Sequence, residues 1–329
     1  MSTIGITALT VSRHGGSEVL EVRPGRLADP APGQLRVSVI ASGVNFIDVY
    51  NREGVYPQDR PFTLGSEGCG HVEAIGPGVS GFEVGQVVAW ALGSVGSHAS
   101  ATLVTAGQAV PVPADVAPET AAAVMLQGLT AHYLVNSTYL VQPGDSMLVH
   151  AAAGGVGQLL VQLGKNRGAR VIATVGSAEK AAKAQALGAD AVIRYDQVDD
   201  LAAAITEANA GHGVSVAYDG VGKSTFDASL ASLATRGMLV LFGGASGQVP
   251  PFEIQRLNSG GSLFLTRPSL RHHIAARDEL LWRATDVLQS VADGALTVEI
   301  GGRFALADAA QAYDELEGRR TTGKLILIP

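Results

Sequence analysis

The second half of the chain is paced by a repeating strand-length beat, and that beat limits the fold more than any other feature. Apolar runs rich in β-branched residues occupy 147–150, 170–175, 191–195, 214–219, 238–242 and 262–266, starting 21 to 24 residues apart. Most intervals between them read as helices. Val156, Leu159, Leu160 and Leu163 fall at i, i+3, i+4 and i+7 and so make one apolar face. Phe226, Leu230 and Leu233 repeat that pattern further on. Strand, helix and strand at this spacing predict right-handed βαβ units and a parallel sheet. Six such strands predict a doubly wound α/β domain that binds a nucleotide.

The residues before this beat follow another rule. Runs at 35–39, 70–75 and 87–91 are short, rich in valine and separated by Pro/Gly turns at 31–33 and 76–78. That pattern predicts an antiparallel, barrel-like β domain. A helical stretch at 117–133 leads out of it, and a helix at 277–292 precedes a strand-like end at 324–328. The end is expected to return to the first domain. The nucleotide domain, residues 126–266, then becomes an insertion between 1–125 and 267–329.

Where the beat begins, the run 147–150 passes straight into Ala151-Ala152-Ala153-Gly154-Gly155-Val156-Gly157 and an amphipathic helix. Small residues there let the backbone turn sharply and approach a pyrophosphate at the positive end of the helix. Ala152 stands where the first glycine of a G-x-G-x-x-G fingerprint would be, so a plain tight turn is the competing reading. The coenzyme follows from the end of the second run, Thr174-Val175-Gly176-Ser177. An NAD site places Asp or Glu there for the ribose 2′-hydroxyl. A small residue followed by Lys180 accepts a 2′-phosphate instead, which favours NADPH. Glu179 weighs against that choice, and Lys180 also reads as a solvated helix residue.

Composition narrows the partners. With 23 basic and 30 acidic residues the formal charge is −7, which argues against nucleic acid or an anionic membrane as a main ligand. The N-terminus has neither a basic start nor an apolar run, so no signal peptide is expected. The most apolar stretch, 147–163, is broken by His150, glycines and glutamines and is too polar to span a bilayer. A cytoplasmic protein is the economical reading. One cysteine, Cys69, allows no intrachain disulfide and no Cys₂His zinc site, and it reads as a small buried hydrophobe. His272 and His273 read as solvated, and His150 as a packed histidine at a strand end. No metal site is expected.

Asn45 and Asp48 are polar residues in an apolar stretch, 44–50. They either cap a local turn or meet a ligand, because buried polar groups need partners. Tyr50 and Tyr56 read equally as rim residues of the core or as hydroxyl donors to an acceptor.

Taken together, these segments resemble the zinc-independent NADPH:quinone oxidoreductases, the zeta-crystallin-like branch of the medium-chain dehydrogenase/reductase superfamily. The resemblance rests on Gly43-Val44-Asn45-Phe46-Ile47-Asp48, Gln127-Gly128-Leu129-Thr130-Ala131, His150 to Gly157, Tyr218-Asp219-Gly220-Val221-Gly222 and Thr266-Arg267-Pro268-Ser269-Leu270, and it runs from end to end. It implies a Rossmann domain inserted in a GroES-like β-barrel catalytic domain, and a homodimer. Asn45 resembles a residue at a catalytic zinc-ligand position of the zinc-dependent relatives. By the same resemblance Asn45, Gln127, Thr130, Ala153, Gly154, Gly155 and Val156 line the coenzyme, with Phe242, Gly243 and Ser246 near the nicotinamide. Gly176, Ser177, Lys180, Tyr195 and Arg319 are implied around the 2′-phosphate, and Tyr50 and Tyr56 beside Asn45 and Asp48 in the substrate cleft. The family commonly carries Glu or another polar residue after Gly65. Here the run Gly65-Ser66-Glu67-Gly68-Cys69-Gly70 reads as a glycine-rich turn and strand with no clear chemical role.

The expected activity is hydride transfer from NADPH to a quinone or related conjugated carbonyl without metal. A 2-alkenal or enone double-bond reductase on the same scaffold is the near alternative. A crystallin-like structural or RNA-binding protein is the alternative of another class, and the charge disfavours it.

Overall fold

A computed structural model of the chain describes residues 3–318 and 321–329. Within it the chain divides into two compact units, Met1–Leu129 with Ala275–Pro329, and Thr130–Ile274. The sequence placed these divisions after 125 and 266. The first falls within a helix and the second after the short helix that follows the last strand of the nucleotide domain, places where hydrophobic patterning does not change.

The first unit opens with β1 (Thr3–Val11) paired antiparallel to β2 (Leu20–Ala28), while β3 (Gln34–Gly43) leads into α1 (Phe46–Glu53). Next come β4 (Phe62–Thr63), β5 (Glu67–Ile75), β6 (Val87–Ala91), β7 (Ala101–Thr105) and β8 (Val110–Pro111). The two residues of β4 pair with β1, and β3 pairs antiparallel with both β5 and β7. Alternation drives β3: Leu35, Val37, Val39 and Ala41 are buried, while residues between them are partly exposed. Those side chains close a core with Val72, Val88, Trp90 and Val104.

Helix α2 (Pro118–Tyr133) crosses into the second unit. There the strands are β9 (Ser146–Val149), β10 (Arg170–Val175), β11 (Ala191–Arg194), β12 (Val214–Asp219), β13 (Leu233–Leu241) and β14 (Phe264–Thr266). They pair in parallel in the order β11-β10-β9-β12-β13-β14, the doubly wound arrangement. The connecting helices are α3 (Gly155–Asn166), α4 (Ala178–Ala186), α5 (Leu201–Ala208), α6 (Phe226–Ala231) and α7 (Gln255–Ser259), with α8 (Leu270–His273) after the last strand. On α3, Leu159 and Leu160 are fully buried, whereas Val156 and Leu163 are partly exposed at the edges of the stripe. Leu233 departs from its expected helical role. It opens β13, which begins earlier than the apolar run suggested because the polar residues Thr235 and Arg236 continue the same strand.

The chain then returns to the first unit through α9 (Arg277–Ala292), β15 (Ile300–Ala305), α10 (Ala309–Glu317) and β16 (Lys324–Ile328). β16 lies between β15 and β3. Its pairing with β15 is parallel and with β3 antiparallel, so the C-terminal return adds a parallel pair to the antiparallel strands expected of the first 120 residues. Leu325 and Leu327 share a core with Leu9, Val11, Val44, Val49 and Tyr313, which ties both chain ends together. Among the described residues no helix is long and apolar enough to cross a membrane.

Candidate active site

In the first unit, β3 ends at Gly43 and α1 starts after Asn45, so Asn45 is held at the joint between strand and helix. It is 3% exposed. Its Nδ2 donates to the Gly43 carbonyl at 3.1 Å and to Glu67 Oε1 at 2.7 Å. Its Oδ1 accepts from Lys324 Nζ at 2.6 Å and, more loosely, from Gln127 Nε2 at 3.4 Å. A primary amide carries two N–H donors and two acceptor lone pairs. Asn45 is therefore fully paired within the protein.

Glu67, given no role from sequence, is the centre of this cluster. It is wholly buried on β5, pairs with Lys324 Nζ at 2.5 Å through Oε1, and accepts the Leu126 backbone N–H at 2.6 Å through Oε2. Lys324, the first residue of β16, is 1% exposed. Gly43 makes room for the pair, since a Cβ there would lie 2.1 Å from Glu67 Oε1 and 2.8 Å from Lys324 Cε.

Asp48 lies behind Asn45 with no exposure. Its Oδ1 accepts from Ser66 Oγ at 2.6 Å, and its Oδ2 accepts the Asn45 backbone N–H at 3.1 Å. Burial pushes its carboxyl up to about 7, against the opposing pull of the Ser66 hydrogen bond and the Lys324 charge. His98 is pulled down to about 3 by burial and by Lys324, so it is neutral in ordinary buffers. Its ring nitrogens meet Ser42 Oγ and Tyr313 Oη, each at 2.8 Å. The 3.9 Å approach of His98 to Asp48 is accordingly not an ion pair. Asp48 sits inside the protein and touches Asn45 at its backbone N–H.

The two tyrosines do come together. Their rings meet edge to face at 5.8 Å and 89°. Gly54, in the left-handed region at φ 81°, ends α1 and turns the chain back, so that the Tyr56 N–H reaches the Tyr50 carbonyl at 3.3 Å. Tyr50 is half-buried and Tyr56 is 41% exposed. Cys69 is buried on β5, with its thiol pushed up to about 12, as an inert packing residue.

In the second unit the expected coenzyme residues gather at the carboxyl ends of the parallel strands. Ala151 adopts φ 50°, a left-handed conformation uncommon for a residue with a side chain, and turns β9 into the loop. Ala153 is buried, while Gly154, Gly155 and Val156 are partly exposed at the start of the twelve-residue α3. A Cβ on Gly157 would lie 2.3 Å from the Ala151 carbonyl, so helix and loop close-pack only around glycine. At the end of β10, a Cβ on Gly176 would lie 2.3 Å from the Tyr195 hydroxyl, and Tyr195 itself is 44% exposed. Ser177 caps α4 by accepting the Lys180 backbone N–H at 3.2 Å. Lys180 is partly exposed and Glu179 fully so, and no carboxylate occupies the strand tip. Ser246 Oγ donates to the Val221 carbonyl at 2.8 Å and accepts from the Ser224 N–H at 3.0 Å, bracing the Phe242–Gly243 turn. Thr130 is partly exposed on α2. Arg319 lies outside the described residues.

One network here was also illegible in advance. His150 Nδ1 meets Thr174 Oγ1 at 2.7 Å and its Nε2 meets Ser229 Oγ at 2.8 Å. The Ser229 hydroxyl also donates to Asp219 Oδ2 at 2.8 Å, and Asp219 Oδ1 takes the Val221 and Gly222 N–H groups. One serine on α6 thus links the ends of β9 and β12. His273, expected to be solvated, instead stacks on Tyr133 at 4.2 Å and 5°. Among the described residues no three His, Cys, Asp or Glu side chains converge as a metal site requires.

A barrel-type unit and a doubly wound unit with glycine-lined strand ends define a dehydrogenase of the alcohol dehydrogenase type. The family model described as alcohol dehydrogenase GroES-like domain matches residues 31–114, and the one described as zinc-binding dehydrogenase matches 155–289. A quinone oxidoreductase of Pseudomonas aeruginosa is 43% identical over 96% of this chain and 97% of its own. A 2-haloacrylate reductase of a Burkholderia species is 37% identical over 98% of this chain and 99% of its own. The crystal structure of Escherichia coli quinone oxidoreductase complexed with NADPH superposes with a TM-score of 0.96 at 40% identity, covering 98% of this chain and all of that one. The chain belongs to the quinone oxidoreductase family of medium-chain dehydrogenases/reductases.

Proposed function

We propose that the chain is an NADPH:quinone oxidoreductase. The observation that carries this reading is the tip of β10, where Gly176 lies against the Tyr195 hydroxyl and Ser177 caps α4, with no carboxylate at the strand end. That surface repels no 2′-phosphate, and Lys180 stands one helical turn away to meet it. The residues present fit the whole coenzyme: the exposed N-terminus of α3 at Gly154, Gly155 and Val156 would hold the pyrophosphate, while Thr130, Phe242, Gly243 and Ser246 would border the nicotinamide. Arg319 is proposed as a further 2′-phosphate contact. When bound, NADPH supplies the hydride.

The chain's own work is orientation and charge. Asn45 and Gln127 form a fixed polar wall, because Asn45 is saturated by its protein partners. The donors to the acceptor oxygen are then the hydroxyls of Tyr50 and Tyr56, held edge to face. Asp48 positions Asn45 from behind.

The second reading, a reductase of electron-poor double bonds, draws on the 2-haloacrylate reductase relative. Purified protein with NADPH, offered 1,4-benzoquinone, 9,10-phenanthrenequinone and 2-hexenal in parallel, separates the two. The proposal expects the quinones to be turned over with higher kcat/KM than the enal. Turnover of the enal alone would move the assignment to the double-bond reductases.

The protein is also proposed to be a cytoplasmic homodimer, since NADPH-linked reduction is served by that compartment's coenzyme pool. β14 is an open sheet edge bearing Phe264 at 54% exposure, with Ile254 at 76% nearby in the chain, and such an edge is suited to pairing with a second copy. Sedimentation equilibrium at micromolar concentration should return twice the 33.7 kDa chain mass.

A further inference from the structure

We propose that Glu67 and Lys324 are positioning residues for the quinone reduction, acting as a buried charge clamp that fixes the side-chain amide of Asn45 and the neighbouring stretch of α2. The inference rests on the functional reading above and adds to it two residues that contact neither coenzyme nor acceptor.

Four observations converge on it. First, both charges are removed from water, with Glu67 at 0% and Lys324 at 1% exposure, and they meet at 2.5 Å. A pair this deep contributes little net stability, because the cost of desolvating two ions offsets their attraction. Second, each partner uses a remaining hydrogen-bonding position on the same amide. Lys324 donates to Asn45 Oδ1 at 2.6 Å, and Glu67 Oε1 accepts from Asn45 Nδ2 at 2.7 Å. Carbonyl and amino ends of Asn45 therefore have opposite obligations, and a flip of the amide would set a cation against N–H and a carboxylate against C=O.

Third, the other Glu67 oxygen holds the Leu126 backbone N–H at 2.6 Å, next to Gln127, whose amide leans on Asn45. One carboxylate thereby binds the β3–α1 joint, β16 and α2. Fourth, residue 43 has no space for a methyl group, since a Cβ would fall 2.1 Å from Glu67 Oε1. The clamp is thus built into the backbone on which Asn45 sits. A cation is needed here for the geometry of Asn45, and Lys324 supplies it as part of the chain.

The test uses Glu67→Gln/Lys324→Met, which removes both charges together, and Gly43→Ala, which keeps both charges and displaces them. Three quantities are measured for each: the thermal midpoint, the Kd for NADPH by fluorescence titration, and kcat and KM for 1,4-benzoquinone. In addition, hydrogen exchange of the Asn45 side-chain amide is followed by NMR, its signal assigned as the one lost in Asn45→Asp. The clamp predicts that the double variant folds with a near-native midpoint and binds NADPH within about threefold of the parent. Its kcat falls about 10- to 100-fold, the range for a misplaced positioning group, and its Asn45 amide exchanges at least about tenfold faster. Gly43→Ala is expected to show the same pattern more weakly.

A double variant whose kcat stays within about twofold of the parent, with the Asn45 amide still protected, overturns the clamp and leaves the pair a structural relic. If the double variant fails to fold, Gly43→Ala decides by the same criteria. If the parent itself does not reduce quinones, the functional reading falls, while the exchange rate of Asn45 still judges the clamp.

Discussion

The two units present their candidate residues by opposite means. In the nucleotide-binding unit the work is done by backbone: glycines at 154, 155, 157 and 176, a left-handed turn at Ala151, and a helix start. In the barrel unit it is done by buried side chains drawn from distant parts of the chain, with Asn45, Asp48, Ser66, Glu67 and Lys324 joined in one hydrogen-bonded chain and His98 and Tyr313 beside Asp48. The first kind of site tolerates many side chains provided that the backbone is free to approach its ligand. The second places every polar group under obligation, so that a single change leaves a buried charge or hydrogen bond without its partner. The largest losses of stability are therefore expected where a single substitution strands a buried charge in the barrel unit, and losses of coenzyme affinity in the nucleotide unit.

The largest expected effect tests the barrel side. Lys324→Met leaves Glu67 buried without its cation, and should lower unfolding free energy by about 3–5 kcal/mol in denaturant titration. An effect under about 1 kcal/mol would contradict a charge pair closed off from water at this point.

Asp48→Asn sharpens the same point through pH. The native carboxyl titrates near 7 against an ordinary value of 3.8, so the folded protein holds a proton that the unfolded chain releases. The stability that this provides is complete below the unfolded value and is lost as pH rises through the native one. Moving from pH 5 to pH 8 should therefore cost the parent about 2.5 kcal/mol more than the Asn variant. A parallel dependence in both proteins would remove Asp48 as the cause.

On the nucleotide side, Ser229→Ala probes the side-chain network at the ends of β9 and β12. His150 and Asp219 both lose the hydroxyl that joins them. A loss of about 1–3 kcal/mol is expected, accompanied by weaker NADPH binding because the β9 and β12 ends are no longer tied.

The smallest effect, and the cleanest contrast, belongs to Lys180→Ala. It should fold as the parent does, yet lose about tenfold or more in kcat/KM for NADPH, the worth of one charge-assisted hydrogen bond. Use of NADH should not change. Equal losses with both coenzymes would place Lys180 away from the 2′-phosphate.

This division also explains what could be read from the residues alone. The beat of the parallel strands and the Gly154–Gly157 turn are local, repeated at fixed spacing, and set by packing and backbone freedom. The helix 277–292 and the strand 324–328 were delimited by hydrophobic pattern in the same way, and both were found with those bounds. The charge clamp obeys no spacing. Glu67 sits in a small-residue run that looks like a turn, and Lys324 precedes four apolar residues as a strand-end lysine commonly does on a surface. Only the pairing of β16 with β3, and of β3 with β5, brings them to one point. Asn45 was singled out for the right reason, as a polar residue in an apolar stretch. Its saturation depends on partners 22 and 279 residues away.

The most direct test of the account is the coenzyme ratio in quinone reduction. Purified protein would be assayed with 1,4-benzoquinone against NADPH and NADH in turn, by loss of reduced-nicotinamide absorbance. Turnover is expected with NADPH, at a kcat/KM at least about 100-fold above that for NADH, as two charge-assisted contacts at the 2′-phosphate would give. Equal use of the two coenzymes, or no turnover of the quinone with either, would contradict it.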